Sequence, residues 1–150
     1  MLIAVIIETK ELGFVEIDEN EIITFSHAIY GFEGASRFIL LHDKTKPSNP
    51  FMWLQCADKM EPSFAVIDPH AFFADYSPML TDEDKQAIGL VSDEYLRFLV
   101  IAAIPQNVRD LNMNLKCPIA INSQRNIAMQ VIIENADYPM RYYLYNRVEG

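Results

Sequence analysis

The sequence predicts a mainly β protein with a closed, β-barrel-like antiparallel fold and one or two short helices. Short segments rich in β-branched and aromatic residues recur about every ten residues, and turn-forming residues separate them. Apolar residues make up 51% of the 150 residues, which is enough to bury a substantial core. Because no linker divides the chain, we expect residues 1–150 to form a single domain.

The predicted strands are short and lie close together in sequence. The first six cover residues 2–9, 13–18, 21–25, 37–42, 51–56 and 63–68. A seventh covers 95–104, and a hairpin joins 117–122 to 127–133 through the turn "SQRN". The polar loop "DKTKPSNP" is predicted to be a long hairpin connection. Gly13 is placed in the tight turn after the first strand.

The alternation of side chains in the segment "FMWLQC" predicts how this strand is buried. Phe51, Trp53 and Gln55 share one face of an extended chain, and Met52, Leu54 and Cys56 share the other. Large apolar side chains stand on both faces, so we expect this strand to be covered on both sides.

One helix is predicted over "TDEDKQAIG". Thr81 is the expected N-cap, Asp84 follows three residues later, and Gly89 stands where the helix should end. The last segment, "YPMRYYLYNRVEG", is left open between helix and irregular structure, because Pro139 and several tyrosines oppose a helix.

Charge narrows the range of partners. Twenty-one acidic against twelve basic residues give a net charge of −9, which repels phosphate backbones and argues against direct nucleic acid binding. A basic protein is the natural complement. No segment is long enough to span a membrane, and the start lacks a signal peptide pattern. The two cysteines are far apart in sequence, so we expect reduced thiols in a cytoplasmic protein.

The sequence holds few residues in catalytic arrangements. The five glycines form no phosphate-binding motif, and the three histidines are scattered, so no cofactor, no metal site and no enzyme activity are expected. One catalytic alternative remains: Asp68 and His70 could form a base and its orienting carboxylate, as in a hydrolase. The competing interpretation is that Asp68 and Pro69 shape a turn.

Most of the net charge is concentrated between Asp58 and Glu94. This acidic segment holds nine acids and two bases, a local charge of −7. It is consistent either with a solvated face or with a docking surface that has aromatic anchors and a charged rim. Phe72 and Phe73 are equally consistent with core positions. The candidate binding residues here are Phe72, Phe73, Asp75, Tyr76, Asp82, Glu83 and Asp84.

A second candidate site lies in "NMNLKCP", immediately before the predicted hairpin. Asn112, Asn114 and Lys116 supply side-chain hydrogen-bonding groups, and Pro118 is expected to open an edge strand. Two interpretations stay open: these side chains shape a turn, or they also present the edge to a partner.

Three stretches together resemble a known family. "FSHAIYGFEGASRFILL" looks like the motif F-P-x-G-I-P-G-F-E followed by a strand. "FMWLQCADKMEPSFAVIDPHAFFADY" is similar to W-L-Q-S-x-D-x-P-x-x-A-F-V-V-x-D-P-x-x-F-x-x-D-Y, and "NLKCPIAIN" to N-L-x-A-P-I-V-I-N. These motifs, in this order, are those of the bacterial flagellar assembly factor family FliW. The sequence departs from them at Ser26, Ala28, Tyr30, Cys117 and Ala120, and "NIAMQ" lacks the Gly-Arg-Gln that often follows the turn.

The resemblance implies a barrel-like fold without cofactor or catalysis and with two protein partners. One is flagellin, held before export; the other is the carbon storage regulator CsrA, an RNA-binding dimer that represses flagellin translation. In the family scheme the two compete, and release of flagellin lets the factor relieve repression. An acidic domain bound beside an RNA site would weaken RNA binding. The alternative from another class is a split-barrel protein that binds flavin, against which the acidic balance counts.

Overall fold

The computed structural model describes residues 3–145, so Leu2 of the first predicted strand and residues 146–150 of the final segment lie outside it. The described part contains eleven strands and one α-helix, α1 (Asp82–Ala87). The strands are β1 (Ala4–Thr9), β2 (Gly13–Asp18), β3 (Ile23–Phe25), β4 (Arg37–Leu41), β5 (Met52–Cys56), β6 (Ser63–Ile67), β7 (Leu96–Ala103), β8 (Asn112–Met113), β9 (Ile119–Asn122), β10 (Ile127–Gln130) and β11 (Tyr142–Tyr143).

Seven strands close into a barrel, which confirms the predicted fold class. Strands β3 to β7 pair in chain order, β9 pairs with both β7 and β10, and β10 returns to β3. Six of these seven pairings within the described chain are antiparallel. The β3–β10 pairing is parallel, so the predicted antiparallel arrangement has one exception at the seam where the barrel closes.

The barrel interior is filled by alternate side chains of all seven strands. Phe25, Phe38, Leu54, Val66, Leu99, Ile119, Ile121 and Ala128 belong to one buried cluster. Side chains at every second position point inward because successive strand residues face opposite sides of the sheet. This apolar interior is the main core.

Three further clusters cover the outside of the barrel. The β1–β2 hairpin packs Ile7 and Ile17 against Ile39 of β4. The segment that includes α1 places Leu80 and Ile88 over Met129 and Val131 of the β9–β10 side. Aromatic residues of the 72–76 loop and the chain end cover β6, β7 and β8 on a third side. Most strands are therefore apolar on both faces.

Strand β5 has the two covered faces that its sequence predicts. Leu54 and Cys56 are buried in the barrel interior, and Trp53 packs half-buried against the outer cluster that contains Ala65 and Val100. Gln55 is buried, and its amide donates hydrogen bonds to the carbonyls of Cys56, Lys59 and Met60. This buried site thus tolerates a polar side chain because the hydrogen bonds of that side chain are made inside the protein.

The predicted β9–β10 hairpin is confirmed, but the edge position given to Pro118 is wrong. Strand β9 has partners on both sides, β7 and β10. Pro118 precedes the strand, where it needs no amide proton, and its carbonyl accepts a hydrogen bond from the Val131 amide at 2.9 Å.

The helix signals are confirmed, whereas a helix near the chain end is not formed in the described part. Thr81 and Asp84 form a reciprocal capping box, and Gly89 has a φ of +64° just after the helix. Tyr142 and Tyr143 pair with β8 as strand β11. No helix within residues 3–145 is long and apolar enough to cross a membrane.

Candidate protein-binding site

An apolar cleft of about 600 Å³ opens at one end of the barrel, and we call it the mouth cleft. The loop after β3, the ends of β6, β7 and β10, and the turn before β9 meet there. Tyr30 is 92% exposed, Ile132 63% and Met140 59%. The cleft is lined by Ala28, Ile29, Tyr30, Phe32, Glu33, Phe64, Ile101, Asn114, Cys117, Gln130, Ile132 and Met140.

Aromatic contacts connect the mouth cleft to the rigid interior. Phe32 meets Phe64 edge-on, with ring centroids 4.9 Å apart, and Phe64 lies 6.2 Å from the ring of the buried Phe38. Phe38 in turn contacts Phe25 at 5.0 Å. The floor of the cleft is therefore held in place by the core, so the surface of the cleft is preformed.

Gln130 fixes the rim of the cleft. Its side-chain oxygen accepts a hydrogen bond from the Tyr30 amide at 3.2 Å, and its side-chain nitrogen donates to the Cys117 carbonyl at 3.2 Å. Burial raises the pKa of the Cys117 thiol, so it lines the cleft as a neutral group. One side chain thus holds two loops that are distant in sequence.

Two departures from the family motif have a structural role at this rim. The Ser26 amide donates to the Ala128 carbonyl at 2.9 Å, and the Tyr30 amide donates to Gln130. Proline, which the motif has at both positions, carries no amide proton and could make neither bond. The substitutions replace the conformational restriction of two prolines with two hydrogen bonds to the β10 side.

The acidic segment is partly neutralised by cations from other parts of the chain. Asp58 pairs with Arg37 at 2.7 Å and Glu61 with Lys10 at 3.2 Å, both at exposed positions. The first turn of α1 is different. Asp82 and Glu83 are exposed, and Asp84 is half-buried in the capping box, its carboxylate accepting from the Thr81 amide. Within the acidic segment, three consecutive acids therefore stand at the start of α1, while Lys85 of the same helix pairs with Asp93 at 3.4 Å.

The aromatic residues of the 72–76 loop are mostly structural. Tyr76 is only 2% exposed, and its hydroxyl donates to the Leu115 carbonyl at 2.6 Å. Burial raises the pKa of this phenol well above its ordinary value. Phe73 stacks on Tyr142 with centroids 5.6 Å apart. The prediction that Tyr76 is an exposed docking anchor is thus wrong. Tyr76 is a core residue, because its ring packs inside the protein and its hydroxyl is hydrogen-bonded there.

Phe72 and Phe73 are half-buried against the same outer cluster, while Asp75 is exposed. The aromatic and acidic residues of this loop, which the sequence placed on one docking surface, therefore face different surroundings in the structure. Asp75 stands on the surface of a loop whose rings point inward.

The three polar side chains before β9 all bind backbone groups. Asn112 donates to the Asp110 carbonyl, Asn114 accepts from the Cys117 amide at 2.9 Å, and Lys116 donates to the Ile133 carbonyl at 3.2 Å. These bonds are those expected of a turn-shaping role. Asn114 also lines the mouth cleft, which keeps one of the three at a candidate binding surface.

Asp68 and His70 do lie together, as the hydrolase alternative requires. His70 Nδ1 is 3.2 Å from an Asp68 oxygen, but its Nε2 is 2.8 Å from the Tyr76 carbonyl. Both ring nitrogens are engaged, so neither is directed toward a substrate. Within residues 3–145, no cluster of three or more His, Cys, Asp or Glu side chains could hold a metal ion.

The mouth cleft gives the flavin alternative little support. Glu33 is the one charged side chain among its described lining residues, so none of these residues is a lysine or arginine that could bind a phosphate. The lining instead has the composition of a protein-binding surface: exposed Tyr, Phe, Met and Ile around a few polar groups.

Sequence reasoning missed most of this cleft. Tyr30, Phe32, Ile132 and Met140 were not candidates, because they are separated by up to 110 positions and only the barrel brings them together. A usable signal was present in "IYGFEG", where two aromatic rings stand in a glycine-containing loop. Aromatic residues in such a loop have few neighbours to bury them.

The fold and the cleft define a class, a small seven-stranded barrel with an apolar cleft at its mouth, and comparison with known proteins identifies the family. The family model described as FliW protein matches residues 6–144. The flagellar assembly factor FliW of Ruminiclostridium cellulolyticum is 32% identical over 144 residues, covering 96% of this chain and 97% of that protein. The one from Syntrophus aciditrophicus is 36% identical, covering 91% and 85%.

A crystal structure of the flagellar assembly factor FliW superposes with a TM-score of 0.85 at 29% identity, covering 94% of this chain and 97% of that one. The chain therefore belongs to the FliW family.

Proposed function

We propose that this protein is a cytoplasmic, non-enzymatic flagellar assembly factor that binds flagellin as a chaperone and binds CsrA to relieve repression of flagellin translation. The observation that carries the proposal is the mouth cleft, to which residues from all three family motif stretches contribute: Tyr30, Phe64 and Asn114 come from one each. A protein-binding family needs a preformed apolar surface, and the cleft supplies one.

Electrostatics supports the second partner. With a net charge of −9, the protein attracts a partner whose RNA-binding surface is basic. Once bound, it places negative potential beside the RNA site, which lowers RNA affinity without requiring the two binding surfaces to coincide.

The direct test uses three purified proteins: this one, flagellin and CsrA from the same bacterium. We expect each partner to bind by calorimetry, and we expect saturating flagellin to block the binding of CsrA. A gel-shift assay with flagellin messenger RNA should show RNA released from CsrA as this protein is added. Absence of binding to both partners would contradict the proposal.

Neutralising the start of α1 tests the electrostatic part. In the triple variant Asp82→Asn, Glu83→Gln, Asp84→Asn, we expect slower association with CsrA, a flatter salt dependence and weaker RNA release, because long-range attraction mainly raises the association rate. Loss of these charges also weakens their interaction with the helix dipole, by about 0.3–1 kcal/mol each, so melting temperature is measured alongside.

The matched control removes three exposed acids elsewhere, Glu8→Gln, Glu16→Gln and Glu19→Gln, for the same change in net charge. If both variants slow association equally, the effect comes from total charge alone. If the α1 variant associates at the wild-type rate at low salt and releases RNA fully, the acidic segment is an ordinary solvated face.

A further inference from the structure

The chain beyond β10 continues in an extended form with one side unpaired. The amides of Val131 and Ile133 donate to the carbonyls of Pro118 and Lys116, at 2.9 and 2.8 Å, on the β9 side. Backbone groups alternate along an extended chain, so the N–H and C=O groups of Gln130 and Ile132 point the opposite way.

That opposite side is where β3 runs. The amides of Thr24 and Ser26 donate to the carbonyls of Asn126 and Ala128, both at 2.9 Å. After Ser26 the chain turns away from β10 into the 27–31 loop. This loop contacts β10 again at Tyr30, whose amide donates to the Gln130 side chain. Among the described residues, no loop or turn group hydrogen-bonds the backbone N–H or C=O of Gln130 or Ile132. In the Gln130–Ile119 pair the same alternation directs the Gln130 groups away from β9. We call this stretch, residues 130–132, the open edge.

The open edge borders the mouth cleft, because Gln130 and Ile132 both line it. A peptide that adds as a strand requires unpaired backbone donors and acceptors beside apolar depressions. Hydrogen bonds to the backbone provide the affinity, and every second side chain of the peptide enters the cleft. A docked helix would leave the open edge without partners, since its backbone groups are used internally.

We propose, resting on the proposed function, that a protein partner binds by adding an extended segment to the open edge, in the path that β3 vacates after Ser26. The segment has apolar side chains at alternate positions, which pack on Phe32, Phe64 and Met140. Glu33 is the one charged group among the described lining residues, so the segment also carries a lysine or arginine that reaches it.

The test is amide hydrogen exchange, followed by NMR, with flagellin and CsrA added separately. For the partner that uses this site, exchange at Gln130 and Ile132 should slow at least about tenfold, because their amides become bonded. The variant Ile132→Pro removes one of these donors without removing an internal bond, and we expect it to abolish binding with the melting temperature unchanged. The control Ile132→Ala keeps the amide and should bind several-fold more weakly than wild type.

A partner that binds Ile132→Pro as well as wild type, or that leaves both amides unprotected in its complex, overturns strand addition while leaving the proposed function intact. That result would indicate a docked helix. Protection that grows with protein concentration in the absence of a partner would indicate a second copy on the open edge, and also overturns the inference.

If neither flagellin nor CsrA binds wild type, the proposed function fails, and a second probe decides the inference by itself. The probe is a set of short synthetic peptides with valine or leucine at alternate positions and one lysine, each with a matched peptide whose alternation is scrambled. Protection of Gln130 and Ile132 by the alternating peptides alone supports strand addition, and its absence overturns it.

Discussion

Replacing Trp53 with alanine is expected to lower the free energy of unfolding by about 3 kcal/mol, the lower end of the range for truncating a large aromatic core residue. The indole lies on the outer face of β5, opposite Ala65 of β6 and Leu41 of β4, and packs against the cluster that covers β6 and β7. It is half-buried, so less apolar area is lost than at a fully buried site. Urea unfolding followed by circular dichroism measures the change.

The matched control is Phe14→Ala on β2, since Phe14 is an aromatic strand residue that is 74% exposed. We expect its effect to stay within about 0.5 kcal/mol. If Trp53→Ala unfolds at the wild-type urea concentration, then its indole contributes nothing to the outer cluster, and Trp53 becomes a candidate contact for a partner.

The second large effect is expected on binding. The triple variant Tyr30→Ser, Ile132→Ser, Met140→Ser removes three exposed apolar side chains from the rim of the mouth cleft. Partner binding should weaken by at least about 100-fold, because a few anchors of this kind carry most of the energy of an interface. Calorimetry or surface plasmon resonance with flagellin and with CsrA measures the loss. Circular dichroism should be unchanged, since all three residues are exposed.

The control for this variant places the same number of serines on other exposed apolar residues: Ile6, Phe14 and Val91. Binding by the control variant should match wild type. Should the control lose binding while the cleft variant keeps it, the contact surface lies on the β1–β2 hairpin and near α1, and the assignment to the mouth cleft is wrong.

The sequence by itself determined those features that depend on neighbouring residues. Turn residues at regular spacing predicted the strands, and the alternation in "FMWLQC" predicted that both faces of that strand are covered. Thr81 with Asp84 predicted a capped helix start. Each of these depends on contacts within one element or one turn, so the local pattern carries the information. The ordered motifs likewise pointed to the family from residues 25–41, 51–76 and 114–122.

Only the tertiary structure decided which residues form the surface of the candidate site. Tyr76 beside Asp75 looks like an exposed anchor in sequence, but the fold turns its ring into an aromatic cluster and gives its hydroxyl the Leu115 carbonyl. The mouth cleft exists because the barrel closes through the parallel β3–β10 pairing, which brings Tyr30 beside Gln130 across 100 positions. Closure of a barrel is a property of long-range pairing, and no local pattern encodes which loops meet at its end.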